Sequence, residues 1–127
     1  MEKKAILVVE DDFSTKDLIV QVISEDFSDY DLLSADNGHE ALEVLSNNSN
    51  VEVCITDGRM PMMNGFVFVS NMRKLYPDIA IVFLTACSTE FKRADAYCLG
   101  VDEYIEKPFD IDTLSNAVKT ALEKRNK

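Results

Sequence analysis

Apolar residues along this chain follow two rhythms. Short unbroken runs, AILVV (5–9), VCI (53–55) and IAIVFL (79–84), lack the polar alternation of a half-exposed strand. They predict strands covered on both faces, as in a parallel sheet. DLLSA (31–35) and EYIE (103–106) are weaker strand candidates. Between them apolar residues recur at helical spacing. Leu18, Ile19, Val22 and Ile23 predict a helix over 14–27 opened by Ser14. Ala41, Leu42 and Leu45 mark another over 38–47, and Phe66, Val69, Met72 and Leu75 a third over 66–76. The last helix carries Ile111, Leu114, Ala117, Val118, Ala121 and Leu122 on one stripe, with Asp110 as its cap. Segment 89–98 has a thinner stripe, Phe91, Ala94 and Cys98, and predicts a helix less firmly seated than the others.

Five strands, each followed by a helix, predict an α/β fold, (βα)5, with helices on both faces of a parallel sheet. Right-handed crossovers favour the flavodoxin-like, doubly wound strand order 2-1-3-4-5. At 127 residues the chain is the size of one domain, 1–127, with SNNSN (46–50) as a polar loop and EKRNK (123–127) as a polar tail expected to fray. Charge narrows the function classes. Thirteen basic against 23 acidic residues leave a net charge of −10, which argues against a surface for nucleic acid or an anionic membrane. Cys54, Cys87 and Cys98 form no C-x-x-C pair and read as reduced thiols of a cytoplasmic protein. The apolar run near the N-terminus is too short for a signal peptide or a membrane span.

The chemistry gathers at strand ends. In open α/β sheets, sites form beyond the carboxyl ends of strands where the strand order reverses, here between the first and third strands. The first strand delivers Glu10 and Asp11, and the third ends on Asp57. Like charges brought that close oppose ionisation unless one is protonated or a cation bridges them. A set of oxygens without histidine or thiolate suits a hard ion, Mg²⁺ foremost. The fourth strand adds the Thr85 hydroxyl and the fifth, through Tyr104, adds Lys107. Acids, metal, hydroxyl and ammonium together suit phosphoryl transfer to a carboxylate, with Asp57 as nucleophile and Thr85 and Lys107 binding phosphoryl oxygens.

The motifs ILVVEDD, TDGRMPMMNG, FLTA and YIEKPF, in this order and at these separations, resemble the receiver domain of bacterial two-component response regulators. The likeness covers about residues 5–122; each motif alone is weak, and four in register are specific. It implies that Asp57 is the phosphoacceptor and that Asp11 binds Mg²⁺ directly, with Glu10 acting through water. Asp57 and the Arg59 backbone carbonyl would complete the protein ligands. It further implies that Thr85 and Lys107 contact the phosphoryl group, and that Tyr104 turns inward as Thr85 moves. The Lys107–Pro108 bond matches one that is often cis in the family. The partners implied are a histidine kinase or phosphotransfer protein and a downstream output protein or domain. The fourth helix, fifth strand and fifth helix would form the switching face. Arg59 and Cys87 flank the entrance, at positions that set phosphoryl lifetime in such domains. Asn64 departs from the aspartate common before Gly65, at a position where the loop needs only a turn-forming residue.

Each residue also has an ordinary reading. EDD before a helix compensates a helix dipole, Lys107 alone is a surface lysine, Thr85 a strand-end hydroxyl, and Tyr104 half-buried packing. Asp12 falls just outside the pocket, His39 is a surface residue, and Met60, Met62 and Met63 are loop residues with no part in a hard-ion site. Three other functions compete with a phosphoacceptor. An FMN carrier would need a phosphate-binding loop where this chain has acids. A phosphohydrolase with an aspartyl-phosphate intermediate would need a second acid where Arg59 stands. An unphosphorylated docking module would not need the full constellation.

Overall fold

The computed structural model describes residues 3–125. The apolar runs become strands β1 (Ala5–Val9), β2 (Asp31–Ala35), β3 (Val51–Asp57), β4 (Ala80–Thr85) and β5 (Glu103–Glu106). Helices α1 (Phe13–Asp26), α2 (Gly38–Asn47), α3 (Gly65–Leu75), α4 (Arg93–Cys98) and α5 (Ile111–Arg125) alternate with them. All strand pairs are parallel and the order is β2-β1-β3-β4-β5, the doubly wound topology predicted above. Burial on both faces explains the runs: all residues of β1 and β4 are buried. Ala5, Leu7 and Val9 pack with α2, α3 and α4, whereas Ile6 and Val8 pack with α1 and α5. Between Ala5 and Ile6 the pairing of β1 with β3 shifts by one residue, so Val51 and Cys54 share one face while Val53 and Ile55 share the other.

Helix starts follow side-chain caps more than apolar periodicity. Asp12, not Ser14, caps α1, its carboxylate accepting the Thr15 amide at 2.9 Å. Asn37 caps α2, and Asn64 caps α3 by accepting the Val67 amide at 2.9 Å, which accounts for an asparagine in that place. Asp110 caps α5 as expected, accepting the Thr113 amide at 2.8 Å. The fourth helix is shorter than the 89–98 expected. It has no side-chain cap, and its one buried residue is Ala96 rather than Ala94 or Cys98. Phe91 is buried ahead of the helix, in the β4–α4 loop, against Phe66 and Phe83. Leu18, Leu75 and Ile111 lie outside the core although they continue the apolar spacing. The tail expected to fray instead extends α5 to Arg125; residues 126 and 127 lie outside the described range. Lys124 donates to the Asp102 carbonyl at 2.7 Å, and Arg125 donates to the Asp102 carboxylate at 3.0 Å, which ties the helix end to the chain before β5.

One glycine governs how closely α3 meets the sheet beneath the site. A Cβ on Gly65 would stand 2.6 Å from the Asp57 carbonyl oxygen, 2.7 Å from the Gly58 Cα and 2.8 Å from the Phe83 ring. Two of those neighbours are backbone and cannot swing aside. Gly65→Ala is expected to lower stability by about 1–3 kcal/mol, the usual cost of overpacking, measured as a lower urea midpoint at unchanged slope. A midpoint equal to wild type would mean that α3 is free to retreat from β3.

Candidate functional site

Three strand ends bring the charged residues together. Glu10 follows β1, Asp57 ends β3, and Lys107 follows β5. The Lys107 ammonium donates to Glu10 Oε1 at 2.8 Å and lies 3.2 Å from Asp57 Oδ1. Glu10 is only 1% exposed, and Asp57 is buried as well. The Gly58 amide donates to Asp57 Oδ1 at 2.8 Å, so the amide and ammonium contacts both fall on Oδ1 and Oδ2 carries neither. Asp11 is exposed, yet Glu10, Asp11 and Asp57 each place a carboxylate oxygen within 4.8 Å of the other two. Three acids against one ammonium leave the cluster short of positive charge.

Electrostatics register that shortfall. Burial pushes the Glu10 carboxyl up to about 7, with the Asp57 charge adding to it and the Lys107 hydrogen bond only partly opposing it. Burial works against the Lys107 charge, but its bonds to Glu10 and the charge of Asp57 outweigh that, and the ammonium is held above its ordinary range. The donors are all oxygens, closely grouped and poorly neutralised, which fits a hard divalent cation such as Mg²⁺.

The remaining predicted residues surround this cluster. Thr85, buried at the end of β4, accepts the Cys87 amide at 2.9 Å through Oγ1, leaving its own proton to donate elsewhere. Tyr104 is inside, not at the surface: its ring stacks on Phe83 with centroids 6.1 Å apart, and its hydroxyl donates to the Phe91 carbonyl. The Arg59 side chain reaches out of the β3–α3 loop and pairs with Glu90. Asp12, expected just outside the pocket, faces Thr15 as a helix cap, and that bond holds its carboxyl below the usual range. His39 is exposed on α2. Met63 packs against Gly38 and Met60 joins the core edge, whereas Met62 is exposed with φ 71°. The Lys107–Pro108 bond is cis. Sequence reasoning missed two neighbours. Glu90 holds Arg59, and Arg93 lies 4.7 Å over the Tyr104 ring. Both contacts join segments whose approach no local pattern announces.

A hollow of about 430 Å³ opens beside the cluster, lined by Asp11, Arg59, Met60, Asn64, Glu90 and Phe91 among others. A second, of about 440 Å³, lies at the opposite edge of the sheet among Val51, Tyr76, Pro77 and Arg125, away from the paired acids and Lys107. The acidic cluster at the strand ends identifies the first as the place for chemistry.

This fold and site define a class, and comparison with known proteins agrees: residues 6–119 match the response regulator receiver domain, so the chain belongs to that family. It is thus a receiver domain of two-component signalling. Among curated relatives it is 36% identical over 118 residues to a chemotaxis protein CheY homolog of Campylobacter jejuni, covering 91% of each chain. It is 31% identical over 122 residues to the response regulator SaeR of Staphylococcus aureus, covering 96% of this chain and 52% of that protein. Among solved structures, a response regulator receiver domain protein from Clostridium thermocellum superposes with a TM-score of 0.87 at 27% identity over 97% of both chains. A CheY-like receiver protein from Methanospirillum hungatei gives 0.87 at 25% identity over 98% of each.

The raised Glu10 group makes stability depend on pH. Between about pH 4.5, where the unfolded carboxyl titrates, and about 7, where the folded one does, the folded chain holds a proton that the unfolded chain has released. Stability therefore falls as pH rises through that window. Glu10→Gln removes the titration, so in metal-free buffer its stability relative to wild type should rise between pH 5 and 8 by about 2–3 kcal/mol. Urea unfolding at both pH values checks this, and a constant difference would contradict the burial argument.

Proposed function

We propose that Asp57 is the phosphoacceptor of this receiver domain, taking a phosphoryl group from the phosphohistidine of a histidine kinase or phosphotransfer protein, or from a small acyl phosphate. The observation that carries the reading is the Lys107 ammonium held between Asp57 and Glu10, at 3.2 and 2.8 Å. Such a cation lies where negative charge accumulates as phosphorus is attacked. An Asp57 carboxylate oxygen forms the new P–O bond, and the bond from phosphorus to the donor's nitrogen or oxygen breaks. The departing group keeps that electron pair. Lys107 binds one phosphoryl oxygen, and Thr85 donates its free hydroxyl proton to another. Asp11, Asp57 and the Arg59 backbone carbonyl would hold Mg²⁺, with Glu10 acting through water. When bound, the ion supplies the positive charge that Lys107 alone does not and neutralises phosphoryl oxygens.

Signalling would follow from Thr85. Once engaged by the phosphoryl group, its hydroxyl and backbone shift against β5, where Thr85 pairs with Glu106 two register steps beyond Phe83 and Tyr104. The Tyr104 ring is already buried, so phosphorylation stabilises an inward position instead of creating it. The α4–β5–α5 face is then biased toward one of two arrangements that an output protein or domain reads. Residues 1–127 act as one receiver unit, in the cytoplasm, without contacting nucleic acid or membrane. Among the described residues no helix is long and apolar enough to cross a membrane.

Incubation with Mg²⁺ and acetyl phosphate should add one phosphoryl group, read by intact mass, and chelation of the metal should abolish the gain. Asp57→Ala should take up none, and Lys107→Ala should label about a hundredfold more slowly. Label persisting in Asp57→Ala would move the acceptor elsewhere. Arg59→Ala should change the rate of phosphoryl loss, because its side chain at the entrance restricts the attacking water; an unchanged rate removes that role.

A further inference from the structure

The ion pair between Arg59 and Glu90 joins two loops that follow different strands. Arg59 lies two residues beyond the end of β3, and Glu90 in the β4–α4 loop. The Nε and Nη2 groups of Arg59 both donate to Glu90 Oε2, at 3.2 and 2.8 Å. Their side chains are 71% and 47% exposed, so the contact belongs to the surface and not to the core. Exposed pairs of long side chains ordinarily contribute little, because ordering both ends costs entropy. Here both backbones are already ordered. The Gly58 amide donates to the Leu84 carbonyl at 3.0 Å, and the Phe91 amide to the Cys87 carbonyl at 2.9 Å. Gly58 and Phe91, the chain neighbours of Arg59 and Glu90, pack directly on one another, since a Cβ on Gly58 would meet the Phe91 ring at 2.9 Å. The pair therefore spans two loops braced against each other, along the hollow that also contains Asp11.

We propose that Glu90 is a positioning residue for the phosphoryl chemistry, holding the Arg59 guanidinium across the mouth of the site and so prolonging the phosphorylated state. The inference rests on Asp57 being the phosphoacceptor. Loss of the phosphoryl group requires a water oxygen to attack phosphorus from the side opposite the aspartyl oxygen. The new P–O bond forms as the bond to Asp57 breaks, the carboxylate is regenerated, and orthophosphate leaves while the water's surplus proton passes to solvent. A tethered guanidinium obstructs that line of approach; an untethered one samples many rotamers and leaves it open for much of the time. Glu90 touches neither the phosphoryl group nor Asp57 and acts only through Arg59. No motif in the chain points to it, because its partner lies 31 residues away in sequence.

The wild-type chain, Glu90→Gln, Arg59→Ala and the double variant are labelled with acetyl phosphate and Mg²⁺, the donor is removed, and decay of the phosphorylated mass is followed. Glu90→Gln is expected to decay about two- to fivefold faster than wild type, the range an exposed ion pair supports. In the Arg59→Ala background the same change should have no effect, because there is no guanidinium left to hold. Raising ionic strength should speed wild-type decay toward the Glu90→Gln rate and leave that variant unchanged, a response that a purely structural role of residue 90 would not produce. Decay of Glu90→Gln at the wild-type rate, or equal acceleration with and without Arg59, overturns the inference while the phosphoacceptor reading stands. A wild-type chain that takes up no label removes both.

Discussion

The ammonium of Lys107 is shared by two carboxylates that arrive from other strands, and much of this molecule is organised around keeping that contact possible. Glu10 is buried and charged groups are costly to bury, so without a partner it would simply retain its proton. Lys107 lowers the cost without removing it, and the Glu10 carboxyl still sits near 7. That residual imbalance is chemically useful. A site that was already neutral would gain little from a divalent cation. A site short of positive charge gains from binding one.

Parallel strand pairing makes the contact possible. The carboxyl ends of β1, β3, β4 and β5 lie on one edge because every crossover returns the chain to the same starting side. Loops then set distances that the strands alone do not. Gly65 lets α3 approach the Asp57 carbonyl, and Gly58 lets the Phe91 ring close over the start of the β3–α3 loop. Phe66, Phe83, Phe91 and Tyr104 form a continuous aromatic group, with neighbouring ring centroids between 5.0 Å (Phe66 and Phe91) and 6.1 Å (Phe83 and Tyr104) apart. This group joins α3, β4, the β4–α4 loop and β5 through packing contacts.

The ends of the sheet handle charge differently. At the amino edge Asp102 accepts from the Ile81 amide, Arg73 and Arg125, while Arg73 also donates to the carbonyls of Pro77, Ile79 and Gly100. The network ties α3, α5 and the strand ends together. At the carboxyl edge three carboxylates share one ammonium, and the neighbouring helix α4 is six residues long with one buried side chain and no side-chain cap.

Much of this was legible in the residues themselves. Unbroken apolar runs reported burial on both faces, helical spacing reported the layers, and the alternation of the two prescribed the topology. Glu10, Asp11, Asp57, Thr85 and Lys107 could be assigned to one edge because strand ends are local features and the topology rule does the rest. Periodicity failed where polar contacts override it. Asp12 rather than Ser14 starts α1 because a carboxylate reaches the Thr15 amide, and α4 begins late because Phe91 is needed in the core before the helix. Only tertiary structure decided that Tyr104 lies inside under Arg93, that Lys124 and Arg125 anchor the last turn of α5, and that Glu90 meets Arg59. The physical reason is the range of the forces involved. Burial and hydrogen bonding within a segment leave a periodic trace in the chain, whereas a contact between two loops depends on where the whole sheet has carried them.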